Sequence, residues 1–208
     1  MDISVTAIMD FLQIITVLLM AVVCHEYAHG WVAARCGDPT ARMMGRLTLN
    51  PLKHIDPIGT VVVPILCKLF LGFPFGWARP VPVNFAQLHN PKRDMIWVAL
   101  AGPVTNIALA FIFSLFLHLD APAFAQGFLY LAIFINLILA VFNMIPIPPL
   151  DGSRVMMGLL PHELARPYAR LEPFGIIIVV VLLQVGALDF IWSVVSALAY
   201  LLGVRGNF

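Results

Sequence analysis

The chain has 208 residues, 61% of them hydrophobic and only 11% charged, with a formal net charge of +1. Soluble domains carry about a quarter charged residues, and so large an apolar excess in a short chain cannot be hidden in one water-facing core. That excludes an ordinary soluble domain and makes lipid the solvent for most of the surface. The near-balanced charge gives no reason to expect a nucleic-acid partner. Three cysteines, Cys24, Cys36 and Cys67, have no paired spacing and read as reduced packing residues.

The first apolar stretch covers residues 4–34. No basic segment precedes it and it runs straight into a polar motif, so it reads as a retained helix and not as a cleaved leader. Residues 40–50 alternate weakly and suggest a short β-hairpin. Residues 57–75 are apolar but broken by Pro64, Lys68, Gly72 and Pro74. Such a run suits a re-entrant segment packed against protein better than a lipid-facing span. Two clear stretches follow, 94–119 and 124–145. The last, 173–203, makes two short spans if it breaks at Gly186-Ala187-Leu188-Asp189. The expected fold is an all-α polytopic bundle with about five transmembrane helices, a span needing about 20 residues, plus the re-entrant segment and the hairpin. It reads as one domain over 1–208, with its core in 4–152 and C-terminal helices in 173–203.

Charge placement supports re-entry. If 57–75 returns to the side it left, Arg35, Arg42, Arg46, Lys53, Lys68, Arg79, Lys92 and Arg93 share one membrane face. The loop around Asp120 then lies opposite and carries no Lys or Arg, and Arg154, Arg166 and Arg170 return to the first face. With a C-terminal hairpin, Arg205 joins them, and all 12 basic residues lie on one side. The positive-inside rule makes that side the cytoplasm and puts the N-terminus outside. The lipid in question is expected to be the cell (inner) membrane.

The chemistry sits in His25-Glu26-Tyr27-Ala28-His29. Residues four apart share a helix face, so both imidazoles can bind one zinc ion. Glu26 follows the first ligand and is placed to act as a general base. A carboxylate and two imidazoles inside an apolar stretch are costly to bury, which favours function over chance. Cys24 is a further soft donor, but its side chain would leave a helix about 100° from that of His25.

A catalytic zinc usually takes three protein ligands. Asp2, Asp120 and Asp189 fall on the opposite face. Asp38, Asp56, Asp94, Glu163 and Glu172 fall in polar or interfacial surroundings. Asp10 lies about four turns before His25. Asp151 differs: it ends Phe142-Asn143-Met144-Ile145-Pro146-Ile147-Pro148-Pro149-Leu150-Asp151-Gly152. Three prolines forbid regular helix there, and irregular backbone at membrane depth must be buried in protein or line a cavity. The plain alternative is a loop leaving the membrane.

His-Glu-Tyr-Ala-His with Asn-Met-Ile-Pro-Ile-Pro-Pro-Leu-Asp-Gly resembles the site-2 protease family of intramembrane zinc metalloproteases. Asn50-Pro51-Leu52-Lys53-His54-Ile55-Asp56-Pro57 and Ala101-Gly102-Pro103-Val104-Thr105-Asn106 are also similar to family segments. The resemblance spans residues 23–152 and fits the minimal branch, without a PDZ or CBS domain. It implies zinc on His25, His29 and Asp151 with Glu26 as base. It further implies hydrolysis of peptide bonds within or near the transmembrane helices of other membrane proteins. Asn143 would then hold the substrate backbone or a developing oxyanion, a task suited to an amide donor. Its alternative is to satisfy carbonyls of a broken helix. His54 lines the cavity, donates a hydrogen bond near the site, or only ties down the re-entrant loop. Asn106 is read as gluing helices at a close crossing. A membrane zinc transporter or metal-binding regulator is the rival from another class; it accounts for the two His and the Asp but gives Glu26 no task.

Overall fold

The computed structural model describes residues 5–72, 76–119 and 121–204. Asp2, Asp120 and Arg205, used above to assign sides, lie outside the described residues, as does the 73–75 end of the re-entrant segment. Nine α-helices form among the described residues, and no strand does.

The scaffold is three long helices: α1 (Val5–Arg35), α4 (Pro91–His118) and α5 (Ala123–Asn143). The 31 residues of α1 rise roughly 46 Å, more than the roughly 30 Å of a hydrocarbon core. Helix α4 begins with Pro91 in its first turn, and Asp94 Oδ2 accepts the Asn90 N–H at 2.8 Å. Its buried stripe is Val98, Ala99, Gly102, Pro103, Asn106, Ala110 and Ser114. These are mostly small side chains at helical spacing, so α1 and α5 approach α4 closely. On the other face Trp97, Phe111 and Phe116 are exposed, as lipid contact requires.

Four tracts are long and apolar enough to cross a membrane: Phe11–Arg35, Pro91–His118, Ala123–Asn143 and His162–Gln184. The last comprises α7 (His162–Ala169), a 3-10 turn at Glu172–Phe174, and α8 (Gly175–Gln184). The tail breaks after α8, with Gly186 at φ +74°, and resumes as α9 (Phe190–Leu201). At 12 residues α9 is a shorter apolar helix than the four tracts. Its Ile191, Val195 and Ala199 pack into a core with Ala110 of α4 and Ile133 and Leu137 of α5.

The hairpin expected at 40–50 does not form. Asp38, fully buried, accepts the Thr40 N–H at 2.9 Å and the Thr40 hydroxyl, and its second oxygen accepts the Asn84 N–H at 2.7 Å. Those turn bonds lead into one helical turn, α2 (Thr40–Met43). Gly45, at φ +62°, reverses the chain, and the N–H groups of Arg46 and Leu47 both return to Ala41 O. Side-chain bonds to the local backbone have won over strand pairing.

The segment after Asp56 is helical and short. Asp56 Oδ1 accepts the N–H groups of Ile58 and Gly59 at 2.9 and 2.8 Å and starts a π-helical stretch, Pro57–Val62. Helix α3 (Val63–Leu71) follows and ends at Gly72, φ +83°. Its nine residues rise roughly 14 Å, and even with the six π-helical residues before it the segment is shorter than the roughly 20 residues a span needs. The chain then comes back to its start. Trp77 donates its N–H to Gly59 O at 3.0 Å, and Arg79 donates to His54 O at 2.8 Å.

Candidate metal centre

His25 and His29 are both buried on the inner face of α1, with ring centroids 4.6 Å apart. Asp151 is the first residue of α6 (Asp151–Leu159). The prolines keep 144–150 out of helix, and isolated turns carry the chain instead, with Ile147 N–H on Ile145 O and Leu150 N–H on Ile147 O. Tyr168 Oη donates to Pro146 O at 2.7 Å and holds this segment in place. A Cβ at Gly152 would collide with Met144 O and Ile145 O, so only glycine lets α6 start so close to the end of α5.

The result is a three-ligand cluster. His25 Nε2 lies 3.0 Å and His29 Nε2 3.3 Å from the same oxygen, Asp151 Oδ2. The three donor atoms all fall within 4.8 Å of one another. A tetrahedral zinc with ligands at about 2.1 Å separates them by roughly 3.4 Å, so the spacing fits. The chemistry fits as well. The His25 Nδ1–H donates to Asn106 Oδ1 at 2.5 Å, and the His29 Nδ1–H donates to Val98 O at 2.7 Å. With both Nδ1 atoms donating, both Nε2 atoms carry lone pairs aimed at a carboxylate oxygen, an arrangement that a cation between them relieves. Gly102 forms the wall behind. A Cβ there would stand 2.5 Å from both Nε2 atoms, within the space a metal needs.

Asn106 has a larger part than helix gluing. It is fully buried, and its amide donates to Ala21 O of α1 at 3.2 Å and to Asn136 Oδ1 of α5 at 2.8 Å. Asn136 in turn donates to Ala132 O at 2.8 Å. This chain fixes the Asn106 amide so that its oxygen faces His25. Its only sequence signal was an amide on the same α4 face as Gly102, one turn on.

Glu26 is half-buried, and its Oε2 accepts the Val81 N–H at 2.7 Å. Cys24 is half-buried and free, outside the cluster. Cys36, just past α1, is also free; burial, then the Asp94 carboxylate, pushes its thiol up. Asn143 turns its amide back to Leu139 O at 2.9 Å, within its own helix. His54 is buried at 2% exposure; its Nε2 donates to Thr48 O at 2.9 Å and its carbonyl accepts from Arg79. Its contacts therefore lie within the loop system that follows α1.

The profile of peptidase family M50 matches residues 13–121 and 120–186. The chain is 41% identical over 179 residues to "Putative zinc metalloprotease YwhC" of Bacillus subtilis, covering 81% of this chain and 78% of that protein. It is 35% identical over 186 residues to "Putative zinc metalloprotease Rip2" of Mycolicibacterium smegmatis, covering 86% and 69%. It is 26% identical over 145 residues to "Stage IV sporulation protein FB" of Bacillus subtilis, covering 67% and 48%. No solved structure matches significantly. With a zinc-sized cluster on lipid-facing helices and matches over most of its length, the chain belongs to peptidase family M50 and is an integral-membrane zinc metallopeptidase.

Proposed function

We propose that this chain hydrolyses peptide bonds within or near the transmembrane helices of other membrane proteins, with His25, His29 and Asp151 holding zinc and Glu26 as general base. The observation that carries the reading is the cluster itself: two lone-pair nitrogens and a carboxylate oxygen, mutually within 4.8 Å, with Glu26 next in sequence to His25. Zinc in such a site polarises a carbonyl and acidifies water. Glu26 removes the proton from the attacking water and returns it to the leaving amine. The Nδ1 acceptors on Asn106 and Val98 hold both imidazoles in the tautomer that serves a metal. Asn143, beside the start of the proline segment, would need to turn its amide from Leu139 O to bind substrate.

The site belongs to the cytoplasmic half of a cell membrane in this reading. His25 and His29 lie in the last third of α1, the return of Trp77 to Gly59 keeps both ends of the re-entrant segment together, and the basic loops share that face. A helical substrate hides its carbonyls in its own hydrogen bonds, so it must unwind locally before attack.

The test reconstitutes the full chain in liposomes with a model transmembrane peptide and maps product ends by mass spectrometry. Cuts inside or at the edge of the apolar segment support the proposal. Cuts confined to soluble flanks, or zinc flux without cleavage, overturn it. Cysteine labels at positions 2 and 79 should report opposite faces; both on one face overturns the sidedness.

A further inference from the structure

We propose that the main-chain N–H of Val81 is the group that positions Glu26, and that Arg46 is a positioning residue acting through it. The inference rests on Glu26 being the base.

The strap that follows α3 is built to present one donor. Pro80 and Pro82 have no N–H, so Val81 carries the only one in that triplet. Each residue before a proline is held extended, which fixes Arg79 and Val81. The Val81 N–H meets Glu26 Oε2 at 2.7 Å. One carboxylate oxygen is thereby anchored, and Oε1 is left for the proton. A glutamate otherwise has three rotatable bonds, and a base must be held in line with the water it deprotonates.

Arg46 fixes the strap. Its side chain is 8% exposed and makes no salt bridge among the described residues, although the Glu26 carboxylate lies near enough to favour its charge. Its Nη2 donates to Arg79 O at 2.9 Å and Pro80 O at 3.2 Å, the two carbonyls just before the Val81 N–H. The other edge is tied by the Arg79 N–H to His54 O. Gly30, four residues after Glu26 on α1, lets the strap lie flat. A Cβ there would come within 2.8 Å of Val81 Cγ1. The base on α1 is therefore oriented by a loop that the re-entrant segment delivers.

The test replaces the Val81 amide by an ester in the full chain, removing the N–H and keeping the side chain. The same ester at Val83 is the control. Steady-state cleavage of a transmembrane peptide and zinc per chain are measured on each, with Arg46→Met, Arg46→Lys and Glu26→Gln alongside. The ester at 81 should lower kcat roughly tenfold to a hundredfold, as loss of one charge-assisted hydrogen bond does, with KM and zinc content unchanged. The ester at 83 should stay within about twofold of wild type. Arg46→Met should show the same kcat-only loss, partly restored in Arg46→Lys. Wild-type kcat with the ester at 81 overturns the proposal. So does a loss shared by kcat, KM and zinc, which marks a structural role. If Glu26→Gln itself cleaves normally, the assignment of the base fails first. If Glu26→Gln is inactive while the ester at 81 is normal, only the positioning proposal fails.

Discussion

Replacing Asn106 by leucine removes the acceptor of the His25 Nδ1–H while roughly conserving volume. That bond is 2.5 Å long and fully buried. Without it the imidazole loses its orientation and its tautomeric preference, and part of its basicity at Nε2. Loss of such an outer partner costs about ten- to a hundredfold in metal affinity, or roughly 1.4–2.7 kcal/mol. The same substitution deletes the donations to Ala21 O and Asn136 Oδ1. Interhelical polar contacts in membranes average about 0.6 kcal/mol each, so the loss of stability should be smaller than the loss of zinc binding. The assay is chelator competition for zinc in detergent, with thermal unfolding of the metal-free protein in parallel. Asn106→Asp keeps an acceptor and should bind zinc more tightly than Asn106→Leu. A zinc Kd for Asn106→Leu within about twofold of wild type would refute the orienting role.

Three further outcomes follow from the geometry. Gly102→Ala should lose zinc with the fold retained by circular dichroism, because its Cβ would stand 2.5 Å from both Nε2 atoms. Asp38→Asn should destabilise the chain by about 1–3 kcal/mol in denaturant titrations, since an amide cannot accept from both Thr40 and the Asn84 N–H in the same way. Chelation should abolish cleavage and lower the Tm, and added zinc should restore both, because zinc relieves the facing lone pairs of His25, His29 and Asp151.

The parts legible in sequence are those set by local period and by bilayer physics. The i, i+4 spacing placed His25 and His29 on one face of α1. The three prolines before Asp151 forced irregular backbone where a third ligand could enter. Broken apolarity in 57–75 marked a helix that does not run on: α3 ends at Gly72, and the Trp77 N–H returns to Gly59 O. Gly186 marked the break in the tail. The illegible parts are partners far along the chain. Asn106 is 81 residues from His25, Val98 is 69 from His29, and Val81 is 55 from Glu26. Two of these three partners act through the main chain, so the identity of the side chain carried no signal. The weak alternation at 40–50 misled because Asp38, a residue outside that window, bonds the Thr40 N–H and competes with strand pairing.

At the centre of the chemistry stands a zinc site whose base is Glu26. Its most direct test measures zinc per chain and cleavage of a transmembrane peptide, side by side, for the wild type and Glu26→Gln. Roughly one zinc per chain is expected in both, with cleavage by the wild type alone. Cleavage by Glu26→Gln, or a wild type that cleaves without zinc, would contradict it.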